Sequence, residues 1–85
     1  MTEERARRLA DELSRHFNGQ AEIEAVAPGR YRFAIVSPQF EGVGQLQRQD
    51  RAWEVVDQVF TREEVLDISL ILAFAPGELQ PVPPA

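Results

Sequence analysis

The run Tyr31-Arg32-Phe33-Ala34-Ile35-Val36-Ser37 decides the fold. Tyr31, Phe33 and Ile35 alternate with Arg32 and Ala34, which is the period of a strand with one face buried. Upstream, Ala21, Ile23 and Ala25 alternate with Glu22 and Glu24 in the same way, and Pro28-Gly29 turns the chain between the two runs. Polarity selects the register of this hairpin. Setting Glu24 against Arg32, Ile23 against Phe33 and Ala21 against Ile35 matches like with like on both faces. That register predicts a three-residue loop, Ala27-Pro28-Gly29, with Gly29 at positive φ.

Before the hairpin, Ala6, Leu9, Ala10, Leu13 and Phe17 form one apolar stripe at helical spacing, so Thr2 to Phe17 reads as an amphipathic helix. Thr2 suits its N-cap, Glu3 and Glu4 its positive end, and Arg15 and His16 its last turn. Asn18-Gly19 stops it. After the hairpin, Ser37-Pro38 opens a single turn that Gly42 and Gly44 break. Leu46, Trp53, Val56, Val59 and Phe60 mark a second long helix, Gln45 to Phe60. Thr61 and Glu64 have capping-box spacing for a further helical turn. Ile68 to Phe74 is apolar except for Ser69 and reads as a strand, which Pro76-Gly77 ends.

The fold class is therefore α+β, in the order helix, strand, strand, short turn, helix, strand. A strand reached through a helical crossover runs parallel to the one before it. The result is a three-stranded mixed sheet with the second strand central and two long helices on one face. The other face is open and the last strand is an edge. The 85 residues allow one domain, 1–79, followed by a Pro-rich tail, 80–85, expected to be flexible.

Composition narrows the function. Hydrophobic residues make up 44% and charged residues 27%, as in ordinary globular chains rather than disordered ones. There is no cysteine, hence no disulfide, thiolate ligand or thiol nucleophile. No apolar run reaches membrane-spanning length, and a cytoplasmic location is expected. Net charge is −5, which counts against nucleic acid as a partner. All nine basic residues are arginine, a pattern that genomic composition bias explains more readily than selection for bidentate donors at an interface.

No catalytic constellation emerges, and a non-enzymatic role is expected. His16 is the single histidine and sits at a helix end, where the dipole alone accounts for it. Glu22 and Glu24, and likewise Asp50, Glu54 and Asp57 beside Arg51, read as solvated faces with weak ion pairs. Arg30, Arg32 and Arg48 would form a small phosphate-binding spot, the basis of a nucleic-acid alternative, but Glu22, Glu24 and Glu41 lie close enough to cancel its field. The last strand is anomalous. Ile71 and Ala73 are apolar on the side assigned to the open face, next to Ala34 and Val36, while Leu70, Leu72 and Phe74 are assigned to the helices. An interaction surface is therefore expected around Phe40, Arg48, Gln49, Arg51, Asp67, Ile71 and Ala73. Its occupants would be the tail, a second copy paired through the last-strand edge, or a partner adding a strand.

The stretch from Arg30 to Leu79 resembles the BolA-like family. The resemblance rests on the aromatic-led strand ending in Ile35-Val36-Ser37, on Phe40-Glu41-Gly42 as its Phe-x-Gly, and on Leu46 and Arg48 before the second helix. Trp53 stands where the family usually has tyrosine, and Leu66, Ile71, Ala73, Phe74, Pro76 and Glu78 resemble its last strand and Pro-x-Glu ending. The resemblance implies a BolA/KH-like αββ(α)αβ fold without the phosphate-gripping Gly-x-x-Gly loop, since Gly42-Val43-Gly44 has the wrong spacing. It also implies a monothiol glutaredoxin as protein partner and a bridging iron–sulfur cluster. Two departures bear on the cluster. Asp67 stands where the family's ligand histidine begins the last strand, and the shortened loop Ala27-Pro28-Gly29 holds no ligand. Gln49 occupies the family's second-helix histidine position. Since the cluster's irons favour thiolate or imidazole, no cofactor is expected to be held by this chain itself. The resemblance implies a binding or adaptor module with at most a degenerate link to iron–sulfur regulation.

Overall fold

The computed structural model describes residues 1–79, and the tail expected at 80–85 lies outside the described residues. The chain forms α1 (Glu3–Phe17), β1 (Gln20–Ala27), β2 (Arg30–Val36), a 3₁₀ turn (Pro38–Phe40), α2 (Gln45–Val59), α3 (Arg62–Val65), β3 (Ile68–Phe74) and a final 3₁₀ turn (Pro76–Leu79). The sheet order is β1-β2-β3, with β1 antiparallel and β3 parallel to the central strand. This is the expected mixed α+β sheet.

Local chemistry sets the element ends. The Thr2 hydroxyl accepts from the Arg5 amide at 3.2 Å, and Asn18 closes α1 in the left-handed conformation at φ 51°. A Cβ on Gly19 would lie 2.1 Å from the Val36 carbonyl oxygen, so only glycine lets β1 start against β2 here. Thr61 and Glu64 form a reciprocal capping box on α3. Ser37 joins three elements. Its hydroxyl donates to the Phe17 carbonyl at the end of α1 and accepts from the Gln39 amide at 3.1 Å.

The hairpin register is the expected one, with Ala21 opposite Ile35, Ile23 opposite Phe33 and Glu24 opposite Arg32. Its loop differs. Ala27 pairs with Arg30, leaving a two-residue turn of Pro28 and Gly29, and the extra residue is taken up between Ala25 and Ala27 as a bulge at Val26. A residue before proline resists the α conformation, so Ala27 stays extended and prolongs the ladder. Gly29 does adopt positive φ, at 73°.

The core lies between one sheet face and the two long helices. Ala6, Leu9, Leu13 and Phe17 of α1 meet Ala52, Val55 and Val56 of α2 over Phe33 and Ile35. Burying each large side chain contributes about 1.5–3 kcal/mol, and the helices hold to the sheet through this layer. Among the described residues no helix is long and apolar enough to cross a membrane.

Candidate functional site

The parallel register of β3 decides which of its side chains reach solvent. Phe33 pairs with Ile71 and Ile35 with Ala73, so Ile71 and Ala73 face the helices and are 1% and 2% exposed. Their expected place on the open face is therefore corrected. The cause is a register shift at the start of the strand. Tyr31 pairs with Ile68 and Arg32 with Leu70, which leaves Ser69 as the extra residue. Ile68 and Ile71 both reach the core although three positions apart. The run is apolar almost throughout, so no polar residue marks this change of parity in the sequence.

The open face carries the other set. Leu70 is 45% exposed, and Leu72, Phe74, Ala34 and Val36 are half-buried beside it, forming one apolar strip across β2 and β3. Glu22, Glu24 and Arg32 border the strip on the β1 side, with Arg32 paired to Glu24. Leu46, expected in the apolar stripe of α2, is 80% exposed in its first turn.

The expected interaction residues on α2 and its approach have structural work. Phe40 is fully buried, its ring 4.9 Å from that of Phe17. Arg48 is 4% exposed and reaches the far end of the chain. Its Nη1 and Nη2 donate to the two Glu78 carboxylate oxygens at 2.6 and 2.9 Å. Nη1 also donates to the Ala73 carbonyl at 3.1 Å and Nε to the Val43 carbonyl at 2.7 Å. Gln49 Nε2 donates to the Ile71 carbonyl at 2.8 Å, and its Oε1 accepts from Trp53 Nε1 at 3.3 Å. Arg51 remains exposed.

These bonds also correct the expectation for the last-strand edge. The carbonyls of Ile71 and Ala73 point away from β2 and are taken by Gln49 and Arg48, while the Ala75 amide donates to Glu78 at 2.9 Å. With Ile71, Ala73 and Ala75 all buried, α2 covers the edge that pairing with a second copy or an added strand would need. The short Arg48 bonds hold the Glu78 carboxyl far below its usual range, at about 2, helped by the Ala75 amide. Arg5 does the same for Glu64, also to about 2, through a bond of 2.8 Å that ties α1 to α3.

Asp67 is half-buried at the foot of β3, and its carboxylate receives the amino-terminal ammonium of Met1. That ammonium also donates to the Gly29 carbonyl at 3.1 Å. The donor set does not fit an iron–sulfur cluster. The hairpin turn offers only Pro28 and Gly29, Asp67 is a hard carboxylate already in an ion pair, and the chain has no thiolate. Among the described residues no group of three or more histidine, cysteine or acidic side chains converges. His16 is exposed, edge-on to Phe17.

The basic spot is not assembled. Arg30 and Arg32 lie at the start of β2, where it runs beside the start of β3, whereas Arg48 binds at the opposite end of β3. Arg32 and Arg48 are both in ion pairs.

An antiparallel hairpin, a parallel third strand and two long helices on one face define the fold, and its likeness to solved BolA structures places it in the BolA-type α+β class. The chain matches no family model and no curated protein sequence. Among solved structures it is similar to BolA1 from Arabidopsis thaliana, with a TM-score of 0.72, 22% identity, and 93% of this chain and 100% of that one covered. It is similar to the BolA domain of SufE1 from the same organism, with a TM-score of 0.70, 20% identity and the same coverage. A Bol-like protein from Babesia bovis gives a TM-score of 0.51 at 24% identity, covering 84% of this chain and 85% of that one. At these identities the likeness establishes the fold.

Proposed function

We propose that this chain is a non-enzymatic, cytoplasmic protein-binding adaptor of the BolA type, and that it docks a monothiol glutaredoxin on its open sheet face without supplying a cluster ligand. The observation that carries this reading is the apolar strip made by exposed Leu70 and half-buried Leu72, Phe74, Ala34 and Val36, which no helix among the described residues covers, whereas the opposite face packs against α1 and α2. Contiguous exposed apolar surface bordered by charges is characteristic of protein interaction sites. The fold supports the BolA assignment, and one structural neighbour is a BolA domain of another protein. The glutaredoxin comes from the resemblance. The absence of a fitting donor set makes the chain a passenger in any cluster complex.

The test adds the protein to a cluster-loaded monothiol glutaredoxin and follows complex formation by sedimentation and the cluster by visible circular dichroism. The reading expects a saturable complex in which the cluster keeps the glutaredoxin's own spectrum. A new spectrum saturating with the protein would assign a ligand to this chain, with Asp67 the first residue to substitute. No complex would remove glutaredoxin as the partner.

A further inference from the structure

The two edges of the sheet are treated differently. On β3 the outward carbonyls are taken by α2 side chains and the residues are buried. On β1 the outward groups follow from the ladder. The amides of Tyr31 and Ser37 donate to Asp67 and Phe74, so the odd-numbered residues of β2 turn toward β3 and the even-numbered ones toward β1. Gln20, Glu22 and Glu24 therefore face β2, and Ala21, Ile23 and Ala25 turn their amides and carbonyls outward. α1 reaches this edge once, where the Ser14 hydroxyl accepts from the Ala21 amide at 3.0 Å. Beyond that point Ala25 and Val26 are exposed and Ile23 is half-buried. An open groove of about 480 Å³ runs alongside, walled by Arg7, Ala10 and Asp11 of α1 and by Ala21, Glu22 and Ile23 of β1.

We propose that the outer edge of β1, which no strand among the described residues pairs, is a strand-docking site for an extended segment of a partner protein with basic residues at alternate positions. The main-chain groups of Ile23 and Ala25 supply the ladder for an added strand. Side chains of that strand alternate between two surroundings. One set enters the groove, where Ala10, Ala21 and Ile23 lie between Arg7 and Asp11. The other set lies on the open face next to Glu22 and Glu24, two residues apart. Glu24 is engaged by Arg32 from the inner side, and Glu22 stands opposite Ala34, so the outer flank of both is acidic.

The same carboxylates disfavour a second copy. Antiparallel self-pairing centred on Ile23, the register using most of the edge, sets Glu22 of each chain opposite Glu24 of the other. Like charges directly opposed in a ladder are destabilising. A lysine or arginine at those positions is favoured instead, so Glu22 and Glu24 bias the partner by charge.

This inference rests on reading the chain as a protein-binding module. It rests on the main-chain edge of β1 and its two carboxylates, whereas the glutaredoxin reading rests on the apolar strip across β2 and β3, so the two tests read different residues and either can fail without the other. The test titrates ¹⁵N-labelled protein with an acetylated, amidated Lys-Val-Lys-Val-Lys peptide. Saturable shifts at the Ile23 and Ala25 amides are expected. Binding should weaken at least tenfold in the Glu22→Gln/Glu24→Gln variant and disappear when the peptide's alternate amides are N-methylated. The proposal is overturned if no shift saturates at millimolar peptide. It is equally overturned if a Glu-Val-Glu-Val-Glu peptide binds as well, since the carboxylates would then select nothing, or if the N-methylated peptide binds like the parent, since the contact would then be diffuse charge attraction.

Discussion

Arg48 and Glu78 meet in a two-pronged ion pair that joins the first turns of α2 to the turn after β3, 30 residues further along the chain. The guanidinium is almost fully buried, and its remaining donors hold the carbonyls of Val43 and Ala73. One side chain thus fixes the loop before α2, seals part of the β3 edge and anchors the carboxyl-terminal turn.

Acid should loosen this joint. The Glu78 carboxyl titrates at about 2 in the folded chain against 4.5 ordinarily, because Arg48 and the Ala75 amide bond its ionised form. A carboxyl lowered on folding stabilises fully above its ordinary value and loses that contribution as pH falls toward the folded one. Glu64, held down by Arg5, behaves in the same direction. The melting temperature should fall between about pH 5 and pH 2. In the Glu78→Gln variant that fall should be shallower and should start from a lower value at neutral pH, as measured by thermal circular dichroism.

Arg48→Ala should destabilise by at least about 2 kcal/mol, since it strands buried carbonyls and a bound carboxylate. Chemical unfolding of the variant measures this. Wild-type stability would return Arg48 to the status of a surface residue available to partners.

The two sets of β3 side chains should answer differently to charge. Ile71→Asp places a carboxylate in the core and should unfold the domain or cost more than about 3 kcal/mol. Leu72→Asp, on the open face, should leave the far-ultraviolet spectrum and melting temperature close to wild type. Equal damage from both would mean that β3 is seated in another register.

Gly19→Ala should lower stability without touching the open face, because its Cβ would collide with the Val36 carbonyl at the junction of α1 and the hairpin. Urea unfolding should show a shifted midpoint at unchanged slope.

Much of the fold is legible in the residues themselves. Alternation in Ala21–Ala25 and Tyr31–Ile35, with charges on one side only, fixes both the hairpin register and the buried face. The stripe from Ala6 to Phe17 and the caps at Thr2, Ser37 and Thr61 do the same for the helices. The site is less legible because its signal is parity in a strand of uniform polarity. Ile71 and Leu72 are equally apolar, and only the shift at Ser69 decides which one meets solvent. Arg48 misleads for a related reason. An arginine at a helix start reads as a surface donor, and its burial depends on Glu78, whose approach is a tertiary event. The free edge of β1 is absent from the sequence reading because edge accessibility depends on what α1 and α2 cover.

The most direct test of the central claim is the affinity of a monothiol glutaredoxin for the wild-type protein and for Leu72→Asp, measured by titration calorimetry on samples of matched fold. Saturable wild-type binding that weakens at least tenfold in Leu72→Asp is expected. Binding of undiminished strength by the variant, or none by the wild type, would contradict the assignment of the open sheet face as the glutaredoxin-docking surface.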